Sequence, residues 1–130
     1  MEIQTEYASP LRLQKLLIEE SSFKRSEDSL RDIRVDVNIS SNVEDAGIDT
    51  YKVTLELSMN GENDKLNIFV KCVAYFNTAP NNIALIEKNT LAIMFPYVRS
   101  YVSNITAQPG MMPIVLPPMN IAAMMKNKES

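Results

Sequence analysis

The chain has 130 residues, a typical length for one domain, and its 45% hydrophobic and 22% charged residues argue against disorder and against a membrane bundle. Its 13 basic and 16 acidic residues give a net charge of −3, which argues against broad electrostatic binding to nucleic acid or acidic membranes. The sequence has no histidine, and its single cysteine is Cys72, which excludes zinc sites of cysteine and histidine and catalytic pairs with a histidine base. We therefore expect one domain over residues 1–130 that needs no metal or other cofactor and is not an enzyme.

The N-terminal residues do not resemble a signal peptide, because residues 1–10 contain two glutamates, no lysine or arginine, and no apolar run. The sequence contains no run of about 20 apolar residues, which a helix needs to cross a bilayer. We therefore expect a cytoplasmic protein that does not insert into a membrane.

The segment of residues 11–23 is the first candidate element, and its pattern is ambiguous. Leu13, Leu16 and Leu17 have helical spacing, but leucine and isoleucine also recur here at the spacing of a strand. Periodicity cannot decide between helix and strand in so short an apolar run, so both alternatives stay open at this point.

Two strands are predicted next from strict alternation. Residues 33–39 alternate apolar and polar side chains, and residues 51–59 repeat the pattern, which is typical of strands with one buried face. Residues 40–50 are interpreted as a polar connection between them. Asn60-Gly61 after the second strand predicts a hairpin whose loop is somewhat longer than two residues.

The returning strand, residues 66–76, keeps apolar side chains on both faces. One face carries Leu66 and the residues in phase with it, and the other carries Phe69, Val73 and Tyr75. Because a solvated face would not keep these groups, we expect a second subunit, a helix or a ligand groove to cover it.

A long helix is predicted in the second half of the chain. Thr90 is a suitable N-cap for a helix that runs to about Gln108, with apolar residues recurring every three or four positions. Pro96 lacks a backbone donor and clashes with the preceding turn, so we expect a kink or a restart there. Arg99 is the single charged residue between positions 89 and 125, so this region is expected to be buried, to lie in an interface or to bind something apolar.

The last part of the chain is apolar and rich in methionine. Three prolines in residues 111–118 prevent a regular helix or a central strand, so we expect an extended connection. Asn120 can cap a short final helix in which Ile121, Met124 and Met125 share a face. Five of the eight methionines lie here: Met111, Met112, Met119, Met124 and Met125. They either fill the core or form a pliable apolar surface that adapts to varied partners.

Other chemically interesting residues have simpler interpretations. Cys72 lies on the apolar phase of a strand and is interpreted as a small buried hydrophobe. The carboxylate pairs Glu19-Glu20 and Glu44-Asp45 are interpreted as solvated, because no third metal ligand lies at a convincing spacing. Arg99 could bind a ligand anion, but such a residue more often pairs with a carboxylate or caps carbonyl groups.

Two motifs in the second half of the chain are characteristic when they are taken together. Phe-Pro-Tyr-Val-Arg at residues 95–99 is followed by Pro-Ile-Val-Leu-Pro-Pro-Met-Asn at residues 113–120. In order and spacing they resemble the SecB protein-export chaperone family, in which a Phe-Pro-Tyr-Ala-Arg helix leads through a proline-bounded loop to a short final helix.

The resemblance implies an α+β fold, in which a four-stranded antiparallel sheet carries a long, Pro-interrupted helix and a short C-terminal helix on one side. It also implies that residues 11–23 form the first strand. SecB-like proteins form homotetramers, as dimers of dimers, and hold unfolded polypeptides without ATP in apolar grooves. The implied groove positions here are Phe69, Tyr75, Met111, Met112, Ile114, Leu116, Met119, Ile121, Met124 and Met125.

The resemblance also bears on a partner. In this family an acidic patch on the sheet docks the export motor SecA. Glu20 keeps one acidic position, whereas Lys24 reverses a second, and the strand around Asn67 and Phe69 lacks a third. The sequence ends at Ser130 without the long acidic tail of well-known members. Glu20 is therefore the implied contact to SecA.

Two functions are compatible with these features. The first is an ATP-independent chaperone, a holdase, that binds unfolded or non-native polypeptides and is linked to protein export. The alternative is a SecB-like interaction module dedicated to one partner, such as an antitoxin. The two differ in breadth, since a holdase accepts many unrelated unfolded clients and a dedicated module accepts one saturable partner.

Overall fold

The fold combines one antiparallel sheet with one long helix. This computed structural model describes residues 2, 4, 10–79, 83–121, 123 and 124 of the chain. The strands are β1 (Arg12–Arg25), β2 (Val35–Asp45), β3 (Thr50–Gly61) and β4 (Leu66–Asn77), and the helix is α1 (Ile83–Thr106). The strand order in the sheet is β1-β4-β3-β2, with every neighbouring pair antiparallel. This architecture confirms the expected α+β fold.

Strand β1 resolves the ambiguity of residues 11–23. It pairs with β4 from Arg12 opposite Asn77 to Arg25 opposite Leu66, with two register irregularities along the way. Local periodicity could not decide between helix and strand, but the long apolar β4 offers hydrogen-bonding partners along the whole segment. The strand implied by the family resemblance is therefore confirmed.

The connection between β2 and β3 is shorter than predicted. β2 continues to Asp45 and β3 begins at Thr50, so the polar residues 40–45 belong to a strand and not to a loop. Polar side chains are tolerated there because β2 is an edge strand with one face away from the helix. The turn itself contains Gly47, whose φ of 130° is disfavoured for residues with a Cβ atom.

The hairpin between β3 and β4 agrees with its prediction. A 3-10 turn, Glu62–Asp64, follows Gly61, so the loop is indeed longer than two residues. A Cβ atom on Gly61 would lie 3.0 Å from the Leu66 Cβ atom and 3.1 Å from the Ile33 Cδ1 atom. Glycine therefore allows the segment before β2 to pack closely over the start of β4.

The core lies between α1 and one face of the sheet. Alternate residues of β3 and β4 point to this face, and their side chains are almost fully buried. They pack against the apolar face of α1, and the largest fully buried members of the core include Phe76, Leu55, Leu57, Leu91, Met94, Val98 and Val102. Burial of such side chains drives folding, at about 25 cal/mol per Å² of apolar surface.

Helix α1 differs from the prediction at its beginning. It begins at Ile83, so the predicted N-cap at Thr90 is wrong. The buried Thr90 hydroxyl donates to the carbonyl oxygens of Ile86, at 2.8 Å, and Glu87, at 3.1 Å, as threonines inside helices do. The helix continues through the exposed Pro96 without a restart and ends at Thr106, two residues before the predicted end.

Candidate functional site

The segment after α1 is extended and is fastened to the helix end. Residues 107–119, hereafter the crossover segment, have no regular helix or strand, as the prolines predicted. The Thr106 hydroxyl donates to the Val102 carbonyl at 2.7 Å and accepts from the Ile114 backbone N–H at 2.8 Å. The Ser103 hydroxyl donates to the Ile114 carbonyl at 2.8 Å. Both backbone polar groups of Ile114 are thus paired, which fixes the middle of the segment.

The side chains of the crossover segment divide between core and surface. Leu116 is only 3% exposed and packs into the main core. Met112 and Val115 are 84% and 74% exposed, whereas Met111 is half-buried. One member of the Met111-Met112 pair therefore faces outward. Leu116 was predicted to line the groove, but its burial means that substituting it would test folding before binding.

A surface cavity of about 530 Å³ lies between the crossover segment and the start of β2. Its volume is within the range of ligand pockets, about 300–1,000 Å³. Three predicted groove residues, Met111, Met112 and Ile114, form one wall. The opposite wall is mainly apolar and comes from elements that are distant in sequence: Leu30, Ile33, Val35 and Leu66. We call this feature the crossover cavity.

Sequence reasoning missed the second wall of the crossover cavity. Ile33 and Val35 were assigned to a strand face, and Leu30 was not considered. The signal that could have indicated this wall is the apolar alternation of residues 33–39, which begins at Ile33. Its first apolar side chains lie at the edge of the sheet, where they can line a surface cavity. Arg25 and Arg31 also line the crossover cavity, and no pattern in the sequence had indicated them.

Arg25 holds three segments around the crossover cavity. Its Nε donates to the Ser26 carbonyl at 2.9 Å, and its Nη2 donates to the Asp28 carbonyl at 2.9 Å. Its Nη1 donates to the Gly110 carbonyl at 3.3 Å. The guanidinium therefore joins the end of β1, the following turn and the crossover segment.

The start of a final helix follows the crossover segment. Ile121, Ala123 and Met124 have helical geometry, and the Asn120 Oδ1 accepts the Ala123 backbone N–H at 3.0 Å. This confirms Asn120 as the N-cap. Ile121, Met124 and the earlier Met119 are half-buried against the core. Met125 lies outside the described residues.

The other predicted groove residues lie on the far side of the sheet. Phe69 and Tyr75 are half-buried and point away from α1, since they alternate with core residues along β4. Leu17 and the buried Val73 lie opposite each other on the same face. The structure therefore does not bring Phe69 and Tyr75 into the crossover cavity. We call this apolar area, Leu17, Phe69, Val73 and Tyr75, the outer stripe.

Charged residues border the outer stripe. The Lys71 Nζ lies 3.2 Å from the Glu19 Oε1. The pKa of Lys71 is raised above 10.5, chiefly by its hydrogen bond to Glu19 and by the Glu19 charge, with smaller contributions from Glu56 and Glu20. Glu20, the implied SecA contact, is exposed and lies opposite Lys71 in the β1–β4 register.

Two further residues that the sequence singled out are placed by the structure. Cys72 is buried in the core, and burial raises the pKa of its thiol to about 11, which confirms a small buried hydrophobe. Arg99 is half-buried in a surface hollow with a mixed polar and apolar lining that includes Ser103, Asn104 and Val115. Its predicted carboxylate or carbonyl partner is not found within the described part of the chain.

The described residues contain no group of three or more metal-ligating side chains. None of the described helical segments combines the length and the apolar character needed to cross a membrane.

Comparison with curated proteins gives two relatives. The chain is 54% identical over 43 residues to the uncharacterized protein MJ0357 of Methanocaldococcus jannaschii, a match that covers 33% of this chain and 28% of that protein. It is 26% identical over 106 residues to the protein-export protein SecB of Rickettsia akari, covering 76% of this chain and 68% of that one.

Comparison with solved structures supports the fold. The SecB-like chaperone Rv1957 of Mycobacterium tuberculosis, solved with a ChAD peptide from the Rv1956 HigA1 antitoxin, superposes with a TM-score of 0.72 at 14% identity, covering 85% of this chain and 90% of that one. A protein of unknown function from Streptococcus agalactiae gives a TM-score of 0.50 at 9% identity, covering 83% of this chain and 97% of that one.

The resemblance that the two C-terminal motifs indicated is confirmed over nearly the whole chain. The family model described as preprotein translocase subunit SecB matches residues 4–130. That span includes all four strands, helix α1, the crossover segment and the start of the final helix. The chain therefore belongs to the SecB family.

Proposed function

We propose that this protein is an ATP-independent holdase of the cytoplasm that binds unfolded or non-native polypeptides and keeps them from aggregating. The observation that carries the proposal is the open, mainly apolar crossover cavity, in a chain of a chaperone family. Membership of that family supports a chaperone role and not an enzymatic one. The proposed client-binding residues begin with Met111, Met112 and Ile114 in the cavity wall.

The chemistry of the crossover cavity suits an unfolded chain. An unfolded polypeptide exposes apolar side chains, and each one that enters the cavity gains about 25 cal/mol per Å² of buried apolar surface. Met111 and Met112 are flexible and polarizable, so they can pack against side chains of different shape. Such binding is favourable for many sequences and requires no nucleotide.

We place the remaining predicted residues at the margins of this site. Met119, Ile121 and Met124 extend the apolar surface along the start of the final helix. Met125 lies outside the described residues and stays a predicted client contact. Phe69 and Tyr75, on the outer stripe, offer a second apolar area to a client long enough to reach both faces of the sheet. A homotetramer, as a dimer of dimers, would bring several such areas together and raise the effective concentration of each for a bound client.

We also propose a link to protein export, which the name of the Rickettsia akari relative supports. Glu20 is the proposed contact to SecA, since its side chain is exposed at the margin of the outer stripe. Lys71 lies opposite Glu20, and Lys24, four residues further along β1, reverses a second acidic position, so Glu20 offers a smaller acidic patch than the family pattern implies.

A second candidate function is a module dedicated to one partner. The Mycobacterium tuberculosis structure that shares this fold carries a peptide from an antitoxin, which favours this candidate. A dedicated module would use the same crossover cavity but would bind one polypeptide and ignore unrelated unfolded clients.

The experiment that tests the holdase is suppression of aggregation without ATP. Two unrelated proteins are chemically unfolded and diluted with or without this chain, and light scattering is followed. We expect suppression for both clients. Failure with both clients, for a correctly folded sample, would contradict the holdase and favour the dedicated module.

Two matched variants assign that activity to the crossover cavity. Met112→Asp places a charge in the cavity wall, whereas Val115→Asp places the same charge on the same segment outside it. Both side chains are largely exposed, so neither variant should unfold. We expect Met112→Asp to reduce suppression and Val115→Asp to preserve it. Equal suppression by Met112→Asp and the unmodified protein would remove the cavity from the proposal.

A further inference from the structure

The charged side chains that line the crossover cavity are both positive. The described lining includes two charged side chains, Arg25 and Arg31, and none of the lining residues within the described part of the chain is acidic. The acidic residues of the adjacent connection, Glu27, Asp28 and Asp32, are exposed and do not line it. A ligand in this cavity therefore meets an apolar surface with positive charge at its rim.

No carboxylate among the described residues forms an ion pair with Arg25 or Arg31. Arg25 instead donates to three backbone carbonyls. Arg34 and Lys71, by contrast, are paired with Asp36 and Glu19. A guanidinium has five N–H donors, so Arg25 keeps two beyond the three that hold the cavity together.

The two arginines have different roles. Arg25 is half-buried, and its hydrogen bonds position the crossover segment, so its charge is coupled to the shape of the cavity. Arg31 is exposed at the rim; its backbone N–H donates to the Ser29 hydroxyl at 3.2 Å, but the described residues provide no hydrogen-bonding or ionic partner for its guanidinium. Arg31 is therefore free to pair with a carboxylate of a ligand.

We infer that the crossover cavity selects segments of unfolded polypeptide in which apolar side chains stand next to an aspartate or glutamate, and that Arg31 determines this choice. The inference rests on the proposed holdase function and narrows its clients. Apolar burial supplies the affinity, and charge complementarity supplies the selectivity. The net charge of −3 repels acidic ligands from the molecule as a whole, so such a preference requires a local positive site.

The inference predicts a measurable preference among matched peptides. Three short fluorescent peptides share one apolar centre and carry paired aspartates, lysines or glutamines at one end, and binding is followed by fluorescence anisotropy. We expect the aspartate peptide to bind about two- to fivefold more tightly than the glutamine peptide, as an exposed ion pair allows. The lysine peptide should bind most weakly. High salt should reduce the difference while leaving binding of the glutamine peptide intact.

A matched pair of variants separates the local effect from the overall field. Arg31→Glu and Arg34→Glu change the net charge equally, but Arg34 has an 80% exposed side chain and does not line the cavity. We expect Arg31→Glu to reverse the preference and Arg34→Glu to preserve it. Equal effects of the two variants would assign the preference to the overall field and overturn the inference.

The remaining outcomes distinguish this inference from the proposed function. Equal affinity of the unmodified protein for all three peptides would overturn the selectivity and leave the holdase standing. Binding of no peptide, with a folded sample, would contradict the holdase and the selectivity together.

Discussion

At the residue scale, burial decides what each chemically reactive group can do. Cys72 and Met112 both carry sulfur, but Cys72 is fully enclosed by the core while Met112 is 84% exposed at the crossover cavity. The apolar phase of β4 predicted the first correctly, because alternation reports which face of a strand is buried. The exposure of Met112 could not be predicted, since the crossover segment has no regular period.

The Cys72 thiol makes a prediction for stability against pH. Burial raises its pKa in the folded state from 9.0 to about 11. The unfolded chain therefore loses this proton at a lower pH than the folded chain, so the free energy of unfolding should fall as pH rises from about 9 to 11. A shift of that size corresponds to at most about 3 kcal/mol.

The measurement is chemical denaturation at several pH values, with Cys72→Ala as the control. The other titratable groups are the same in both proteins, so the difference between the two curves isolates the thiol. If the curves run parallel between pH 9 and 11, the thiol does not contribute in the way that its burial implies.

At the element scale, the crossover segment shows how a sequence without periodicity is held in place. Its prolines exclude helix and central strand, but they do not determine which side chains face the core. Leu116 enters the core, and the hydrogen bonds of Ile114 to Ser103 and Thr106 fix the segment beside it. These partners lie on the last turns of α1, so only the folded chain reveals them.

The contribution of this tether can be measured with one substitution made at two positions of α1. Thr106→Val removes the hydroxyl that accepts the Ile114 N–H. Because this donor is only partly buried, leaving it unpaired should cost about 1 kcal/mol of unfolding free energy, the low end of the range for buried donors. Thr90→Val removes a hydroxyl that only donates to helix carbonyls, so it should cost less.

Both threonines are fully buried, so the comparison keeps the change in volume equal. Chemical denaturation gives the two free energies, and hydrogen exchange at the Ile114 amide should accelerate in Thr106→Val. Equal destabilisation by the two variants, with unchanged exchange at Ile114, would show that the tether does not fix the crossover segment.

Local signals also explain which element boundaries were predictable. β3 alternates strictly and β4 keeps one continuous apolar phase, so both were found within a residue or two. Thr90 resembled a cap because a threonine hydroxyl serves a helix interior and a helix start equally well. Only one wall of the crossover cavity was predicted, because the adjacent Met111 and Met112 stand out in the sequence. Leu30 and Ile33 join them only because the hairpin and the end of β1 bring distant segments together.

At the scale of the whole molecule, the sheet separates two apolar areas. The crossover cavity lies at the start of β2 beside the crossover segment, and the outer stripe lies on the face of the sheet that α1 does not cover. A short peptide in the cavity cannot also contact Phe69 through the sheet, whereas a long unfolded client can pass around its edge. The two areas should therefore act as separate sites for one client.

This separation predicts how effects on binding combine. Phe69→Ser should leave the affinity of a short cavity-binding peptide unchanged and weaken the binding of a long unfolded client. Met112→Asp should weaken both. In the double variant the losses for the long client should multiply, because side chains in separate sites contribute independently to the binding free energy. Fluorescence anisotropy with a peptide and with a permanently unfolded protein measures both cases.

A control variant removes an exposed apolar side chain that lies outside both the crossover cavity and the outer stripe. Ile48 is 94% exposed in the turn between β2 and β3 and belongs to neither area, so Ile48→Ser should change neither affinity. If Phe69→Ser weakens the short peptide as much as Met112→Asp does, the two residues share one groove, contrary to their positions on the sheet. If it weakens neither ligand, the outer stripe lies outside the path of the client.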